Sequence, residues 1–353
     1  MNIINGKFEE KYMIFNLTIG IEKLIQDYPA RLFDERKKIL YDIALSKSVS
    51  KDKEASSSEI QCSRWRSMEL PLFFPPKEAP TEYLIREDVF QYDSEFGREP
   101  NQIEWHLNFA DLDLFMGYGG SLMAQDELQV AEHPALASLR EMLLAESEAS
   151  PEREPCTRDE SDNPTPYIIT GIERRLSISV DANPDKGRPD GIYGKRFADA
   201  SEDTIRRAVK LIFPPTITNL IAMEAPSRGK GNYNLAQIKD IFTTAYTAFV
   251  AARYVSTVIA RKKSRPVVTI HTGNWGTGAY GGNKTLMVLI QLAAAKAAGI
   301  NRFVYHSILT QSYREALDIL IHKIIPNNKR ITLPSLFEQI HALGFKWGIP
   351  DGN

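Results

Sequence analysis

A pair of adjacent carboxylates beside glycines lies in the first half of the chain and could do acid–base chemistry. Asp126 and Glu127 follow Gly119 and Gly120 by a few residues. One carboxyl group of such a pair can protonate a leaving group while the other stabilises developing positive charge, which suits glycosidic cleavage. The alternative is structural, because acidic residues are common in the first turn of a helix, where the dipole stabilises them.

A second glycine-rich stretch, residues 272–283, contains five glycines. It follows a β-branched apolar segment, residues 266–271, and precedes a long apolar segment that starts near Lys284. Glycine lets backbone amides approach an anion, and a helix start adds amides and a positive dipole end. The stretch therefore suits a diphosphate, and a flexible loop without a ligand is the alternative. Asn283 stands where a P-loop needs its lysine, and the dinucleotide fingerprint also fits poorly.

Strand-like and helix-like segments alternate along the chain, which predicts an α/β fold with a mixed, mostly parallel sheet and helices on both faces. We expect strands at residues 103–109, 167–170, 220–223, 266–271 and 303–306, and helices at 126–144, 234–260 and 284–298. Ligands bind at the carboxyl ends of strands in such sheets, which points to the two glycine-rich stretches.

The remaining segments suggest how the chain is divided. We expect residues 1–80 to form a helical and irregular extension, helical over residues 1–45 and a polar loop over 46–58. Residues 81–353 would form the main domain, with a charged, proline-containing, exposed insertion at 147–166.

Composition excludes several classes of protein. The net charge of the 353 residues is −2, so the basic field of a nucleic-acid binder is missing. The two cysteines cannot build a disulfide framework or a four-cysteine zinc site, and the six histidines lack metal-motif spacing, so we expect no metal and no cofactor. Without a secretory or membrane-spanning pattern, we expect no membrane partner and a cytoplasmic location.

Taken together, the two glycine-rich stretches resemble those of the poly(ADP-ribose) glycohydrolase family. The sequence T-G-N-W-G-T-G-A-Y-G-G (272–282) is similar to the family's diphosphate loop, and Q-D-E (125–127) is similar to its Q-E-E catalytic loop. N-F-A-D (108–111) resembles its D-F-A-N segment, and the strands 168–173 and 220–225 follow in the same order. The resemblance spans roughly residues 95–310, and the first 80 or so residues have no counterpart in it.

The resemblance implies a macrodomain core and a set of site residues. Glu127 would be the catalytic acid and Asp126 its partner carboxylate. The ribose would lie against Asn108, Asp111, Gly119, Gly120 and Gln125. The diphosphate would be bound by Gly273, Asn274, Trp275, Gly276, Thr277, Gly278, Ala279 and Tyr280. Tyr193 would lie over the substrate, and Phe303 or Tyr305 would flank the adenine.

Three departures from the family pattern bear on the substrate. Asp126 replaces a glutamate, Asp and Asn are exchanged in 108–111, and the stretch between Gly120 and Gln125 is shorter than in the polymer-cleaving enzymes. The chain is at least as similar to bacterial effectors that remove single ADP-ribose units from ubiquitin, which act in the host cytosol. We therefore expect an enzyme that hydrolyses ADP-ribose from a modified protein such as ubiquitin. A poly(ADP-ribose) glycohydrolase and a non-catalytic ADP-ribose-binding module are the alternatives.

Overall fold

The computed structural model describes residues 10–46, 58–76, 81–88, 92, 101–226, 229–260, 265–324 and 331–351. An eight-stranded sheet organises them, in the order β1-β2-β5-β6-β4-β7-β8-β3. Its strands are β1 (Met13–Gly20), β2 (Glu59–Trp65), β3 (Glu82–Arg86), β4 (Gln102–Ala110), β5 (Tyr167–Ile178), β6 (Val209–Glu224), β7 (Val267–Thr272) and β8 (Arg302–His306).

Five neighbouring strands, β6, β4, β7, β8 and β3, run parallel to one another. The other pairs, β1 with β2, β2 with β5 and β5 with β6, are antiparallel. The carboxyl ends of β6, β4, β7 and β8 therefore lie along one edge of the sheet. The loops that follow these strands leave from that edge, which is where parallel sheets bind ligands.

Nine α-helices lie in the described parts of the chain. They are α1 (Ile21–Asp27), α2 (Glu35–Leu45), α3 (Gln125–Glu132), α4 (Ala135–Ser147), α5 (Glu202–Ala208), α6 (Leu235–Ile259), α7 (Lys284–Ala298), α8 (Gln311–Asp318) and α9 (Leu333–Ala342).

Helices cover both faces of the sheet. On one face, α6 and α7 form a core with Trp105, Leu107 and Ile270. On the other, α1 and α4 pack with Ile169 and Leu220. Alternate residues of a strand point to opposite faces, and β4, β5 and β6 accordingly contribute to both cores. The predicted mixed, mostly parallel sheet with helices on both faces is confirmed.

The N-terminal segment differs from the helical extension predicted for residues 1–80. The α1 and α2 helices are present, but Met13–Gly20 is an edge strand and Glu59–Trp65 joins it to the sheet. Phe15, Leu17 and Ile19 alternate with other residues, and this period of two is typical of a strand. It was overlooked because the residues that follow have helical spacing. Residues 47–57 of the predicted loop lie outside the described residues, and a division of the chain at residue 80 stays a prediction.

Two further expectations need correction. The helix predicted over 126–144 is two helices, because Pro134 interrupts it after His133. The predicted insertion at 147–166 is not uniformly exposed. Thr165 is fully buried, and Arg158 is buried with its guanidinium 3.0 Å from Glu224 and 2.9 Å from Asp240. The many charged residues of this segment predicted that it is exposed to solvent, but charged side chains that pair with each other can be buried.

Candidate active site

The two glycine-rich loops meet at the carboxyl edge of the sheet. The hydroxyl of Tyr280 donates a hydrogen bond of 2.9 Å to Oδ2 of Asp111. At the bases of the loops, a Cβ atom at Gly273 would lie 3.5 Å from Cζ of Phe109. The loop after β4 and the loop after β7 thus line one cleft, as the sequence predicts from their positions after neighbouring strands.

The first turn of α3 places the two carboxylates at this cleft. Asn108, near the end of β4, donates from Nδ2 to Oδ1 of Asp126 at 2.9 Å. The backbone N–H of Ala124 donates to Oε2 of Glu127 at 3.0 Å. Asp126 is 8% exposed and Glu127 is 6% exposed. Each carboxylate is therefore held by a neutral donor in a nearly dry position.

Gln125 fixes this helix start to β4. Its Oε1 accepts from the backbone N–H of Phe109 at 2.8 Å, and its Nε2 donates to the carbonyl of Leu107 at 3.0 Å. Both hydrogen bonds are to the strand backbone. Gln125 thereby orients the neighbouring Asp126 and Glu127, and direct contact between its amide and a ribose stays a prediction.

Burial and a neighbouring charge perturb Asp126. Desolvation and the nearby charge of Glu127 together raise the pKa of Asp126 to about 8, against the opposing effects of the Asn108 hydrogen bond and Lys37. Asp126 therefore holds a proton at neutral pH. A protonated carboxyl group can supply a proton to a leaving group, and a neighbouring carboxylate can stabilise the positive charge that develops.

Lys37 is a site residue that the sequence analysis missed. It lies on α2, is fully buried, and its Nζ is 5.4 Å from the ring centroid of Phe197. Among the described residues, Nζ has no hydrogen-bond acceptor. Burial lowers the pKa of Lys37 to about 8 against the opposing charges of Glu127 and Asp126. A signal was present, because Lys37 shares helical spacing with the buried Leu40, Tyr41 and Ala44.

Gly119 and Gly117, in the loop before α3, each lie against another part of the chain. Gly119 packs against the N-terminal segment: its carbonyl accepts from the amides of Phe33 and Asp34, and a Cβ there would clash with the carbonyl of Arg31. Gly117 lies against the carboxylate pair, because a Cβ at Gly117 would clash with Oε1 of Glu127. Contact of Gly119 with a ribose is not supported by this position.

Buried contacts shape the loop after β7. Trp275 is fully buried, and its indole N–H donates to the carbonyl of Met223 at 3.1 Å. Gly276 has φ of +73°, and a Cβ there would lie 2.6 Å from Cβ of Ala225. The hydroxyl of Thr277 donates to the carbonyl of Asn274 at 2.9 Å. The side chains of Trp275 and Thr277 thus support the loop from within.

The tip of this loop has the amides that a diphosphate needs. Within the described parts of the chain, the backbone N–H groups of Gly278, Ala279 and Tyr280 have no hydrogen-bond acceptor. Consecutive amides without partners can bind an anion when they converge on it. Their availability agrees with the predicted diphosphate loop, whose ligand contacts stay a prediction.

Tyr193 lies close to Glu127 and to the start of α3. Reciprocal backbone hydrogen bonds of 3.2 and 2.9 Å between Met123 and Gly194 hold its segment against the start of α3. Tyr193 is 39% exposed. Partial burial, with the charges of Glu127 and Asp351 nearby, raises the pKa of its hydroxyl to about 12. The position of this ring over a ligand stays a prediction.

The two aromatic residues predicted to flank an adenine ring are in the core. Phe303 is fully buried, edge-on to Tyr83 and Phe249. Tyr305 is 1% exposed, and its hydroxyl donates to Oδ1 of Asn274 at 2.8 Å. Stacking by Phe303 or Tyr305 is therefore not supported. The sequence predicted the strand that contains these residues. It did not reveal that both side chains lie on the face of β8 that packs against the helices.

A C-terminal segment that the sequence analysis did not connect to the site covers the glycine loop. The amide of Gly348 donates to the carbonyl of Gly281 at 2.8 Å, and the amide of Asp351 donates to the carbonyl of Gly278 at 3.2 Å. Oδ2 of Asp351 lies 3.2 Å from the position of a Cβ at Gly278. A carboxylate thus lies beside the amides that suit an anion.

Comparison with known families supports the resemblance over part of the chain. Residues 193–315 match the family described as poly(ADP-ribose) glycohydrolase, macro domain fold. Over this span, the chain is similar to that family. The match includes Tyr193 and the whole glycine loop, and it indicates a glycosyl hydrolase that acts on ADP-ribose linkages. Asp126 and Glu127 lie outside the matched span.

Solved structures with similar folds include three from different bacteria. A poly(ADP-ribose) glycohydrolase from Deinococcus radiodurans in complex with ADP-ribose is 13% identical, with 91% of this chain and 100% of that chain covered and a TM-score of 0.40. The Thermomonospora curvata enzyme bound to the inhibitor ADP-HPD is 16% identical, with 78% and 94% covered and a TM-score of 0.43. An Oceanobacillus iheyensis macrodomain with MES bound is 12% identical, with 74% and 100% covered and a TM-score of 0.36.

Curated proteins gave no match to the chain. Among the helices that the structure describes, none has the length and apolar character to cross a membrane.

Proposed function

We propose that the chain hydrolyses the glycosidic bond between ADP-ribose and a modified protein. The buried Asp126–Glu127 pair carries this proposal, because it shares a cleft with a loop of open amides through the hydrogen bond between Tyr280 and Asp111. The family match over the glycine loop supports the same class of ligand.

The proposed ligand would span the cleft from loop to loop. Its diphosphate would accept hydrogen bonds from the amides of Gly278, Ala279 and Tyr280. The distal ribose would lie between Asp111 and the carboxylate pair, with Tyr193 over it. The C1 atom of this ribose would then face Glu127, the residue whose carboxylate is anchored to the backbone of Ala124.

The proposed reaction uses the proton held by Asp126. This proton moves to Glu127, and Glu127 transfers it to the leaving oxygen as the C1–O bond breaks. The negative charge left on the pair stabilises the oxocarbenium-like ribose. Water then forms the new C1–O bond and returns a proton to the pair, so the enzyme is regenerated.

For the leaving group, we propose a mono-ADP-ribosylated protein such as ubiquitin in preference to the polymer. The stretch between Gly120 and Gln125 is short, and Met123 is tied to Gly194, so little chain surrounds the scissile bond. A protein surface can approach such an open rim. Cleavage of poly(ADP-ribose) is the second candidate, favoured by the family that residues 193–315 match.

A substrate panel separates these possibilities. The full chain is incubated with mono-ADP-ribosylated ubiquitin, with other mono-modified proteins and with poly(ADP-ribose), and free ADP-ribose is quantified by mass spectrometry. Release from mono-modified protein alone supports the preferred substrate, whereas release from polymer alone assigns the second candidate. Calorimetric binding of ADP-ribose without release from any substrate would identify a binding module and contradict the enzymatic proposal.

A further inference from the structure

A buried cluster of histidines and carboxylates lies next to the proposed active site but does not belong to it. Glu104 and His106 project from β4, and His271 projects from the neighbouring β7. The rings of His106 and His271 are stacked with centroids 4.6 Å apart, and each residue is 3% exposed. One ligand atom from each of the three residues lies within 4.8 Å of the other two.

The hydrogen bonds of His271 determine where its proton lies. His306 Nδ1 is 2.7 Å from Oδ1 of Asp88, and a carboxylate accepts, so this nitrogen is the donor. A neutral His306 then presents a lone pair at Nε2, 3.0 Å from Nδ1 of His271. His271 must donate from Nδ1, and a neutral His271 consequently has a lone pair at Nε2.

This lone pair faces another acceptor. His271 Nε2 lies 3.3 Å from Oε2 of Glu104. In the described structure, neither His271 Nε2 nor Oε1 of Glu104 has a hydrogen-bond partner. Two buried acceptors at this separation repel each other unless a cation lies between them. The arrangement therefore calls for either a third proton or a metal ion.

We propose that Glu104, His106 and His271 bind a divalent transition-metal ion, with Zn²⁺ as the best match. Tetrahedral coordination with bonds of about 2.1 Å places two donor atoms about 3.4 Å apart, close to the 3.3 Å between His271 and Glu104. Two imidazoles and one carboxylate are a common zinc ligand set. The His106 ring is parallel to that of His271. Because an imidazole binds a metal ion in the plane of its ring, the His106 ring would rotate to direct a nitrogen at the same ion. The chain from His271 through His306 to Asp88 supplies the outer hydrogen bonds that orient a ligating histidine.

The ion would have a structural effect on the neighbouring cleft. Asn108 lies two residues after His106, and Gly273 lies two residues after His271. A metal that joins β4 to β7 would therefore fix the ends of both strands from which the site loops depart. The expectation of no metal site rested on local histidine spacing, which cannot reveal ligands from two strands that are distant in sequence.

Metal content and metal-dependent stability test this proposal without relying on activity. The full chain is purified without an affinity tag and analysed by elemental mass spectrometry, then treated with a chelator and titrated with ZnSO4 or CoSO4. We expect about one zinc per chain, a higher melting temperature with zinc, and visible absorption from bound cobalt. Glu104→Gln and His271→Gln should lose the metal, and His341→Gln, at an exposed position on α9, should retain it.

His306→Gln supplies a further test, because loss of an outer hydrogen-bond partner should weaken zinc affinity by about 10- to 100-fold. Circular dichroism establishes whether each variant is folded. If the folded wild-type chain binds neither zinc nor cobalt, and nitrogen NMR detects a proton on Nε2 of His271, a proton occupies the position and the metal proposal is wrong.

Discussion

Tyr280 and Asp111 join the two halves of the proposed site through a hydrogen bond of 2.9 Å. Tyr280 is in the glycine loop after β7, and Asp111 follows β4, the strand that also holds Asn108 and, through it, Asp126. The bond thus connects the diphosphate loop to the carboxylate pair.

Removal of either carboxyl group should slow hydrolysis far more than it weakens binding. We expect Glu127→Gln to lower kcat by about 100-fold or more, because an amide cannot donate the required proton. Asp126→Asn should lower kcat as well, with ADP-ribose affinity changed by less than about threefold. Steady-state kinetics and calorimetry measure both quantities, with Glu338→Gln on α9 as an exposed control. An undiminished kcat in Glu127→Gln would show that Glu127 is not the proton donor.

Asp126 should make the protein less stable as pH rises. Its pKa is raised to about 8 in the folded chain, above its ordinary unfolded value of about 3.9. The folded state therefore binds an extra proton between these values, and stability falls through this window. Asp126→Asn keeps an acceptor for Asn108 and should be more stable than wild type at pH 7 by up to about 4 kcal/mol, with a gain of up to about 1.5 kcal/mol at pH 5. Urea unfolding measures the difference, and a gain independent of pH would contradict this account.

Tyr280→Phe should weaken binding of ADP-ribose by about 3- to 10-fold, since a hydrogen bond to a carboxylate contributes roughly 1 kcal/mol or more. The loop would lose its tie to Asp111 while its amides remain. Tyr83→Phe is a matched control, because Tyr83 donates to the carbonyl of Leu292 away from the cleft. Calorimetry should find normal affinity in the control. Equal losses in the two variants would indicate a general effect on folding.

Lys37 should set the pH dependence of hydrolysis. Its charge lowers the pKa of Asp126, so Lys37→Met should raise that pKa further. The alkaline decline of kcat/KM, where Asp126 loses its proton, should move to higher pH by roughly half a unit or more. Lys38→Met, at the neighbouring position that is paired with Glu35 on the surface, should leave the profile unchanged. Identical profiles for Lys37→Met and wild type would show that Lys37 has only a packing role.

Asp351 should reduce affinity for an anionic ligand. Its carboxylate lies beside Gly278, at the tip of the proposed diphosphate loop. Asp351→Asn should therefore bind ADP-ribose about 2- to 5-fold more tightly at low salt, with a smaller difference at high salt because ions screen exposed charges. Calorimetry at two ionic strengths tests this. Weaker binding by the variant would mean that Asp351 supports the ligand instead.

The sequence predicted the parts of this site that depend on local pattern. The apolar segment before Gly273 predicted the strand β7, and the glycines after it predicted the loop. The acidic residues after Gly120 predicted the start of α3. Each of these features is encoded within a few neighbouring residues, where periodicity and turn chemistry are informative.

Features that depend on tertiary packing were not predictable in this way. Lys37 approaches the carboxylates from an N-terminal helix, and Asp351 approaches the glycine loop from the C-terminal segment. Phe303 has the residue type of a stacking side chain but points into the core. Which face of a strand meets the ligand follows from the arrangement of the whole sheet, and a short apolar strand does not reveal it.

A crystal structure of the full chain with ADP-ribose tests the central claim most directly. We predict a diphosphate on the amides of Gly278, Ala279 and Tyr280, with C1 of the distal ribose facing Glu127 and Asp126. A ligand bound away from the carboxylate pair, or a diphosphate held by any other loop, would contradict the account.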